Sequence, residues 1–289
     1  MFLISGSTDK GIKRPINQDS ILVRKFDTPC GEMAFVCVCD GMGGLQSGEL
    51  ASATVMYAFK EWSENELQEI VSGTFTHEAI KQSWTKIVSD CNKKILRYGE
   101  NEGITLGTTL TAGLFTEKEY FIANVGDSRA YELSGKAKQL THDHTFVQQE
   151  VDCGRMTPEE ARESKQQNIL TRCIGARPDI LPDFYFGNTK NNSVFMFCSD
   201  GFRHKITEDE MQKGFDGAKM MCTQNLKDAE LSLIELNKKR LETDNISVCT
   251  VVQKKERKLL FGFLKKRKAN SGFAIVEEVI NTDSKNIIS

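Results

Sequence analysis

The chain has 289 residues, of which 39% are hydrophobic and 27% are charged, and its formal net charge is -2 at pH 7. This composition is typical of a globular protein with a full core, and the small net charge argues against a dedicated nucleic-acid-binding protein. No apolar run is long enough to span a membrane, and nine scattered cysteines without CxxC spacing argue against a zinc site and for a reducing cytoplasm.

The first segment predicts two strands joined by a polar loop that contains Arg14 and Asp19. A loop arginine is usually a solvated surface charge. Beside a carboxylate that holds a metal ion, however, a guanidinium could bind phosphate through two hydrogen bonds. Both interpretations of Arg14 remain open at this point.

The stretch Phe35–Gly44 predicts a buried strand that ends in a tight turn. Five apolar residues precede Asp40, and the glycines after it let the backbone approach a ligand closely. A carboxylate at the end of a rigid strand, next to exposed carbonyl groups, suits a divalent cation. Taken alone, the pattern is more typical of a strand that simply ends in an Asp-Gly turn.

Helical spacing of apolar residues follows at 47–62 and again at 77–98, which predicts two helices that cover the sheet. Next, the segments 110–115 and 120–127 predict a β-hairpin, and Asp127 follows its second strand. Between residues 141 and 182 apolar residues become sparse. We interpret about 145–182 as a polar flap beside the site.

The last third of the predicted domain continues with strands and helices. A buried strand at 194–198 leads to Asp200, helices are predicted near 207–215 and 226–239, and Asp244 directly precedes a strand at 246–252. Acidic residues thus lie at strand ends across more than 200 residues. They would repel one another if they gathered at one sheet edge, unless cations or protons neutralised them, and we predict cations.

The C-terminal residues 253–289 differ in composition from the rest. Nine Lys or Arg and four Asp or Glu give this tail a net charge of +5, and the apolar run LLFGFL lies between two basic clusters. The tail is interpreted either as a solvated, flexible segment or as a docking segment for a partner or a membrane surface.

With these motifs assembled, the chain resembles the metal-dependent protein phosphatase family (PPM, the type 2C Ser/Thr phosphatases) in its bacterial form. The matching motifs keep the family's order over residues 1–252: RPINQDS, DGMGG, GTT, NVGDSRAY, LTHDH, TPEEA with NILTRCIG, SDG and TDNISV. The resemblance implies an α+β fold, in which a sandwich of two antiparallel sheets is flanked by helix pairs and carries the flap as an insertion. Residues 1–252 would be the catalytic domain.

The resemblance also implies the roles of the metal-binding residues. Asp40 would bridge two core ions, with the Gly41 carbonyl as a further ligand, and Asp200 and Asp244 would complete the core. Two other acids would belong to the same cluster, Asp19 through metal-bound water and Asp127 as the holder of a third ion.

Two further roles follow from the resemblance, together with the expected reaction. Arg14 would bind the phosphate, and Asn245 would orient Asp244. An all-oxygen ligand set prefers hard ions, so Mg²⁺ or Mn²⁺ is expected. A hydroxide bridging the two ions would then attack phosphorus directly, without a phosphoenzyme.

One position departs from many eukaryotic members of that family, which carry a histidine where this chain has Met42. Methionine cannot protonate a leaving alkoxide, so another group must be the acid. His142 and His144 are the nearest alternatives by motif, although a structural role for them is the stronger expectation.

The expected function is therefore hydrolysis of phosphoserine and phosphothreonine on proteins, in opposition to a bacterial Ser/Thr kinase. The alternative is an inactive phosphoprotein-binding module or scaffold of the same fold. The expected location is the cytoplasm, with peripheral membrane contact through the tail as a second possibility.

Overall fold

The computed structural model describes residues 1–43, 47–73, 75–254 and 272–288. The strands within these ranges are β1 Phe2–Asp9, β2 Asp19–Thr28, β3 Gly31–Gly43, β4 Leu106–Thr108, β5 Leu110–Phe115, β6 Glu119–Val125, β7 Arg129–Leu133, β8 Ala137–Gln139, β9 Asp183–Asn188, β10 Val194–Cys198, β11 Ile246–Gln253 and β12 Ala274–Asn281. The helices are α1 Gly48–Glu64, α2 Glu66–Ser72, α3 His77–Glu102, α4 Phe146–Asp152, α5 Pro158–Glu163, α6 Asp200–Arg203, α7 Glu208–Gly214 and α8 Thr223–Lys239.

The strands form two antiparallel sheets. The first sheet has the order β1-β11-β10-β7-β8, and the second has the order β12-β2-β3-β5-β6-β9, with β4 paired to the end of β3. β2 and β3 are joined by the short turn at residues 29–30, and their pairing runs in continuous register from Asp19 opposite Asp40 to Thr28 opposite Gly31. This register matters for the site because it places two acidic residues side by side.

Aromatic and branched apolar residues from the facing sheets fill the space between them. The ring of Phe115 on the second sheet lies 4.9 Å from that of Phe195 on the first. Outside the second sheet, α1 and α3 cover Phe35 with the rings of Phe59, Trp62 and Trp84. Helices α6, α7 and α8 cover the first sheet in the same way. The predicted α+β sandwich flanked by helices is therefore confirmed.

Most of the predicted elements are present, with small changes at their ends. Helices α1 and α3 extend the two predicted helices by a few residues, and the hairpin is β5 and β6, closed where the Thr116 backbone N–H donates to the Glu119 carbonyl at 2.9 Å. The predicted flap contains α4 and α5, and irregular backbone leads from α5 to β9. The sequence pattern did not predict the strand β9.

Part of the C-terminal tail forms regular structure, so the interpretation as a solvated, flexible segment does not hold for that part. Residues 274–281 form β12, which pairs with β2 at the edge of the second sheet. The pairing is supported by Glu278, which forms an ion pair with the buried Arg24, and by the packing of Phe273 against Phe26. The LLFGFL run and both basic clusters beyond Lys254 lie outside the described residues. None of the described helices is both long and apolar enough to cross a membrane.

Candidate functional site

The five strand-end acids meet at one end of the sandwich because of the strand directions. β3, β6 and β10 run toward this end, where they lead to Asp40, Asp127 and Asp200. β2 and β11 start from the same end, where they carry the two remaining acids, Asp19 and Asp244. Residues that lie far apart in sequence are thereby gathered around one opening.

That opening is a cavity of about 460 Å³, and its lining contains most of the residues selected from the sequence. The predicted residues that line it are Arg14, Asp40, Gly41, Asp127, Asp200 and Asp244. Asp19 and Asn245 are buried directly behind this surface. The structure thus brings together all of the residues that the sequence analysis selected.

Three of the acids, Asp19, Asp40 and Asp127, are poorly solvated, and burial together with the neighbouring carboxylates raises their pKa values. Burial, followed by the charges of Asp19, Asp200, Asp127 and Asp244, raises the pKa of Asp40 well above its usual range. Burial is also the main reason why the pKa values of Asp19 and Asp127 are raised to about 7. The cluster therefore carries more negative charge than its surroundings stabilise.

The turn after Asp40 is built for close backbone packing. A Cβ on Gly41 would lie 2.2 Å from the Gly48 carbonyl oxygen and 2.5 Å from that of Gln18, so no other residue fits without movement of the backbone. The backbone of Asp40 is also fixed, because its N–H donates to Oγ1 of Thr109 at 3.0 Å and its carbonyl accepts from Oγ1 of Thr108 at 3.0 Å. The carboxylate is therefore held on a rigid support.

Arg14 and Asn245 approach the site from the loop between β1 and β2 and from the start of β11. Nη2 of Arg14 donates to Oδ2 of Asp244 at 2.8 Å, and almost half of the Arg14 side chain remains exposed, at 47%. The side chain of Asn245 accepts from the N–H of Gln18 and donates to the carbonyls of Lys10 and Ile16. Its side chain therefore holds the Arg14 loop, while its backbone N–H donates to Oδ1 of Asp244 at 2.8 Å.

Asp127 has a partner that the sequence analysis did not foresee. Nη2 of Arg203 lies 3.1 Å from Oδ2 of Asp127 and 3.7 Å from Oδ2 of Asp143. Asp143 in turn accepts three hydrogen bonds from Arg129, two from Nε and one from Nη2. Asp127 is thus the one of the five acids that an arginine approaches from behind the cavity.

The donor set fits a hard divalent cation. Carboxylate oxygens and a backbone carbonyl are the ligands that Mg²⁺ and Mn²⁺ prefer, and Oδ1 of Asp19 is buried without a hydrogen-bond partner in the described part of the chain. Within the same residues, no three Asp, Glu, His or Cys side chains form a complete cage for a single ion. This agrees with an ion that keeps several waters and binds only one or two carboxylates.

The two histidines considered as acids have other partners. Nδ1 of His144 accepts from the N–H of Gly126 at 3.0 Å, and its Nε2 lies 3.0 Å from Oδ2 of Asp183. His142 pairs with Asp152 on α4 at 2.7 Å. Neither histidine lines the cavity, whereas Met42 does. The structural roles expected for both histidines are consistent with these contacts.

Several residues of the cavity were missed by the sequence analysis. Gln18, Thr109 and Asn168 contribute to its wall, and Arg203 lies behind it. Gln18 and Thr109 lie within the motifs RPINQDS and GTT, and Asn168 is the first residue of NILTRCIG in the flap. Their place in these motifs was a signal that could have been used.

The family model and the related proteins that match this sequence are all protein phosphatases. The family model for protein phosphatase 2C matches residues 13–232. The chain is 32% identical over 212 residues to the serine/threonine phosphatase stp of Listeria monocytogenes, which is 71% of this chain and 80% of that protein. It is 30% identical over 212 residues to the protein phosphatase PhpP of Streptococcus pneumoniae, covering 72% of this chain and 82% of the relative.

Solved structures show the same likeness in the fold. The serine/threonine phosphatase Stp1 from Staphylococcus aureus superimposes with a TM-score of 0.75 at 27% identity, covering 88% of this chain and 96% of that one. The catalytic domain of the serine threonine protein phosphatase PstP, solved in complex with two manganese ions, gives a TM-score of 0.69 at 26% identity, covering 88% of this chain and all of that one. The two sheets and their flanking helices are therefore shared with these structures.

Proposed function

Because this chain belongs to the protein phosphatase 2C family and is a protein serine/threonine phosphatase, we propose that the cavity at the end of the sandwich is its active site and that it uses divalent metal ions. The observation that carries this proposal is the gathering of five acids from both sheets beside Arg14. The reaction is the hydrolysis of phosphoserine and phosphothreonine monoesters on proteins by direct attack of water.

The proposed metal ligands come from both sheets. Asp40, the carbonyl of Gly41, Asp200 and Asp244 would hold the two core ions. Asp19 supports Asp40 from the neighbouring strand, because the two residues are opposite each other in the β2–β3 register. Bound Mg²⁺ or Mn²⁺ would supply an activated water and would offset the charge of the phosphoryl group.

The third ion is proposed at Asp127, and there it must compete with Arg203. The guanidinium already contacts Oδ2 of this carboxylate, so an ion at this position would have to displace it or share the remaining oxygen. We therefore propose that this ion binds more weakly than the two core ions.

Arg14 is proposed to bind the phosphate of the substrate. It is the cation of the cavity lining, and its guanidinium is partly exposed next to Asp244. A planar guanidinium can donate two parallel hydrogen bonds to phosphate oxygens, which would fix the orientation of the ester for in-line attack. Because no histidine lines the cavity, the leaving alkoxide would take its proton from water.

We further propose that the biological substrates are targets of a bacterial Ser/Thr kinase. The support is the similarity to bacterial Ser/Thr phosphatases, since a reversible modification requires an enzyme of each kind. A cytoplasmic location, and docking of the tail residues outside the described range to a partner or a membrane surface, remain proposals that follow from the sequence.

The test is the release of phosphate from a phosphothreonine peptide by the purified full-length protein, with EDTA, Mg²⁺ and Mn²⁺ compared in parallel. We expect release that depends on the added metal and that Asp200→Asn abolishes. A surface variant, Asp209→Asn on α7, serves as the matched control because Asp209 is exposed. If the folded protein releases no phosphate under any condition but binds the phosphopeptide, the function is that of a binding module.

A further inference from the structure

The C-terminal segment 272–288 is attached to the second sheet at the edge nearest the loop that carries Arg14. Its strand β12 pairs with β2 from Ala274 opposite Asp27 to Asn281 opposite Ile21, with one irregularity near Ile275. The match to the family model ends at residue 232, well before this segment begins. The segment is thus an addition to the part of the chain that the family model covers.

Buried contacts fix this segment at both of its ends. At its start, the ring of Phe273 lies 5.3 Å from that of Phe26. At its end, Ile288 is only 5% exposed within the core beside α1, and its N–H donates to Oγ1 of Thr54 at 2.9 Å. Between them, Glu278 pairs with the guanidinium of Arg24. The segment therefore packs as an integral part of the sheet edge.

Between β12 and Ile288 the segment reaches the active-site end of the sandwich. Oγ1 of Thr282 accepts from the hydroxyl of Ser20 at 2.9 Å. Oδ2 of Asp283 accepts from the backbone N–H of Asn17 at 2.8 Å. Asn17 is three residues from Arg14, so this hydrogen bond holds the same loop that presents the guanidinium to the cavity.

The loop is held from two opposite directions. From the first sheet, the side chain of Asn245 bonds to the N–H of Gln18 and to the carbonyl of Ile16. From the second sheet, Asp283 accepts from the N–H of Asn17, the residue between them. These adjacent anchors fix the loop residues that precede Asp19. Without Asp283, the outer side of the loop would lose its anchor to the C-terminal segment.

We infer that residues 272–288 form an intramolecular strap, and that Asp283 is a positioning residue that acts through Asn17 on the placement of Arg14. This inference rests on the proposed role of Arg14 in phosphate binding. It assigns to the C-terminal segment a part in substrate binding, although the segment itself lines no part of the cavity.

The test compares variants of the full-length protein on a phosphothreonine peptide with saturating Mn²⁺. Asp283→Ala removes the acceptor, and we expect the KM to rise about three- to fivefold with little change in kcat, because the loss of one hydrogen bond weakens phosphate binding in the ground state and the transition state alike. The inhibition constant of inorganic phosphate should rise by the same factor.

Two variants separate positioning from general stability. Asp283→Asn keeps an oxygen that can accept from Asn17 and should restore a KM close to that of the wild type. Glu277→Gln, in the same C-terminal segment but away from the loop, removes the ion pair with Lys25 on β2 and should leave both constants unchanged. A KM in Asp283→Asn as high as that in Asp283→Ala, or an equal rise in Glu277→Gln, would overturn the inference.

A double-mutant cycle with Arg14→Ala tests the route of the effect. Arg14→Ala alone should raise the KM about tenfold or more. In that background Asp283→Ala should have little further effect. If Arg14→Ala raises the KM and Asp283→Ala adds its full factor on top, the strap does not act through Arg14 and the inference fails. If Arg14→Ala leaves the KM unchanged, the proposed phosphate-binding role of Arg14 is what fails.

Discussion

Of the residues in the cavity, Asp40 has the ionised form that its surroundings disfavour most strongly. It is desolvated, and the charges of four other aspartates oppose its ionisation. Such a carboxylate destabilises the folded protein unless a cation binds, because like charges that share a poorly solvated site raise one another's free energy. The same residue should therefore be required for catalysis and unfavourable for the stability of the metal-free protein.

We predict that Asp40→Asn lowers kcat by about a thousandfold or more, because the proposed bridging ligand is lost. In EDTA the variant should nevertheless unfold at a temperature a few degrees higher than the wild type, since one repelling charge has been removed. The measurements are steady-state kinetics with Mn²⁺ and differential scanning calorimetry in EDTA.

Cys37→Ala is the matched control for Asp40→Asn, because Cys37 is fully buried on the same strand but contributes nothing to the cavity. It should be less stable and keep a kcat close to that of the wild type. Near-normal kcat in purified Asp40→Asn would contradict the proposed metal site.

Individual site residues could be predicted from the sequence where an acidic side chain directly follows a recognisable strand. Asp40 and Asp200 were identified because each follows an apolar strand, and the strand pattern is local. Arg203 was not identified, because only the fold brings it to Asp127. For Asn245 the predicted role was the orientation of Asp244, and its backbone N–H donates to that carboxylate, but its side-chain contacts with three residues of the loop were not foreseen.

At the scale of elements, α8 is attached to the first sheet through a buried carboxylate. Glu230 is fully buried, and its two oxygens accept from the hydroxyls of Ser5, Ser7 and Thr250 at 2.6 to 2.8 Å. The nearby ammonium of Lys227 lowers the pKa of Glu230 only slightly and donates its hydrogen bond to the carbonyl of Gly6. Burial dominates and raises the pKa of Glu230 to about 7.

This raised pKa predicts a pH-dependent stability. The folded protein holds the Glu230 proton up to about pH 7, whereas the unfolded chain releases it near its ordinary value of 4.5. The contribution of Glu230 to the free energy of unfolding is therefore fully present below pH 4.5 and is lost as the pH rises through 7. We expect Glu230→Gln to gain about 2 kcal/mol relative to the wild type between pH 5.5 and 8.5.

The measurement is urea unfolding of both proteins across this pH range, with Mn²⁺ present so that the acidic cluster is neutralised in each. A difference in the free energy of unfolding that does not change with pH would show that Glu230 does not titrate in the folded protein. Glu235→Gln, on an exposed position of the same helix, should show no such pH-dependent gain.

The flap helix α5 is stabilised by its own cap rather than by packing. Oγ1 of Thr157 accepts from the N–H of Glu160, the carboxylate of Glu160 accepts from the N–H of Thr157, and no residue of the helix is buried. Pro158 and Arg162 of this helix line a cavity of about 260 Å³ that shares Asn168 with the active site. The flap is thus placed to contact the polypeptide of a substrate.

We predict that Thr157→Ala destabilises α5 by about 1 kcal/mol and leaves the unfolding temperature of the whole protein unchanged. The KM for a phosphopeptide should rise, whereas the KM for a small aryl phosphate should not. Hydrogen exchange of the flap and kinetics with both substrates are the measurements. Thr207→Ala removes the same kind of cap from α7 and should leave both KM values unaffected, so an equal rise there would exclude a specific role of the flap.

Elements were predictable from sequence where their apolar pattern was strong. Both β5 and β6 are almost fully buried and read clearly as a hairpin, as did the amphipathic α3. β9 and β12 are edge strands with partly exposed residues, and their patterns are therefore weak. In addition, β12 follows a basic, glycine-containing stretch that suggested a tail, so its pairing with β2 could only be found in three dimensions.

For the molecule as a whole, the acidic cluster lies across the boundary between the two sheets. Asp19 and Asp40 lie on strands of the second sheet and Asp127 follows its strand β6, whereas Asp200 follows β10 and Asp244 precedes β11 of the first sheet. Metal ions bound there would link the two sheets at this end and would replace electrostatic repulsion by attraction. Such binding to the folded state alone stabilises the whole protein by mass action.

We predict that Mn²⁺ at about one hundred times its dissociation constant stabilises the folded protein by about 2.7 kcal/mol, which corresponds to an increase in unfolding temperature of about 5 °C or more. Removal of the metal with EDTA should reverse the increase. Asp40→Asn and Asp200→Asn should each abolish most of it, although the two residues lie on different sheets, because each ion needs ligands from both. Asp209→Asn should keep the full increase.

Added salt distinguishes specific binding from simple screening of the acidic cluster. NaCl at the same ionic strength weakens the repulsion among the aspartates, but it supplies no cation that prefers several oxygen ligands, so its effect should be much smaller than that of Mn²⁺. If NaCl and Mn²⁺ raise the unfolding temperature equally, the cluster only attracts counterions. An increase with Mn²⁺ that survives in Asp200→Asn but not in Asp40→Asn would place the ion on the second sheet alone, and the link between the sheets would be wrong.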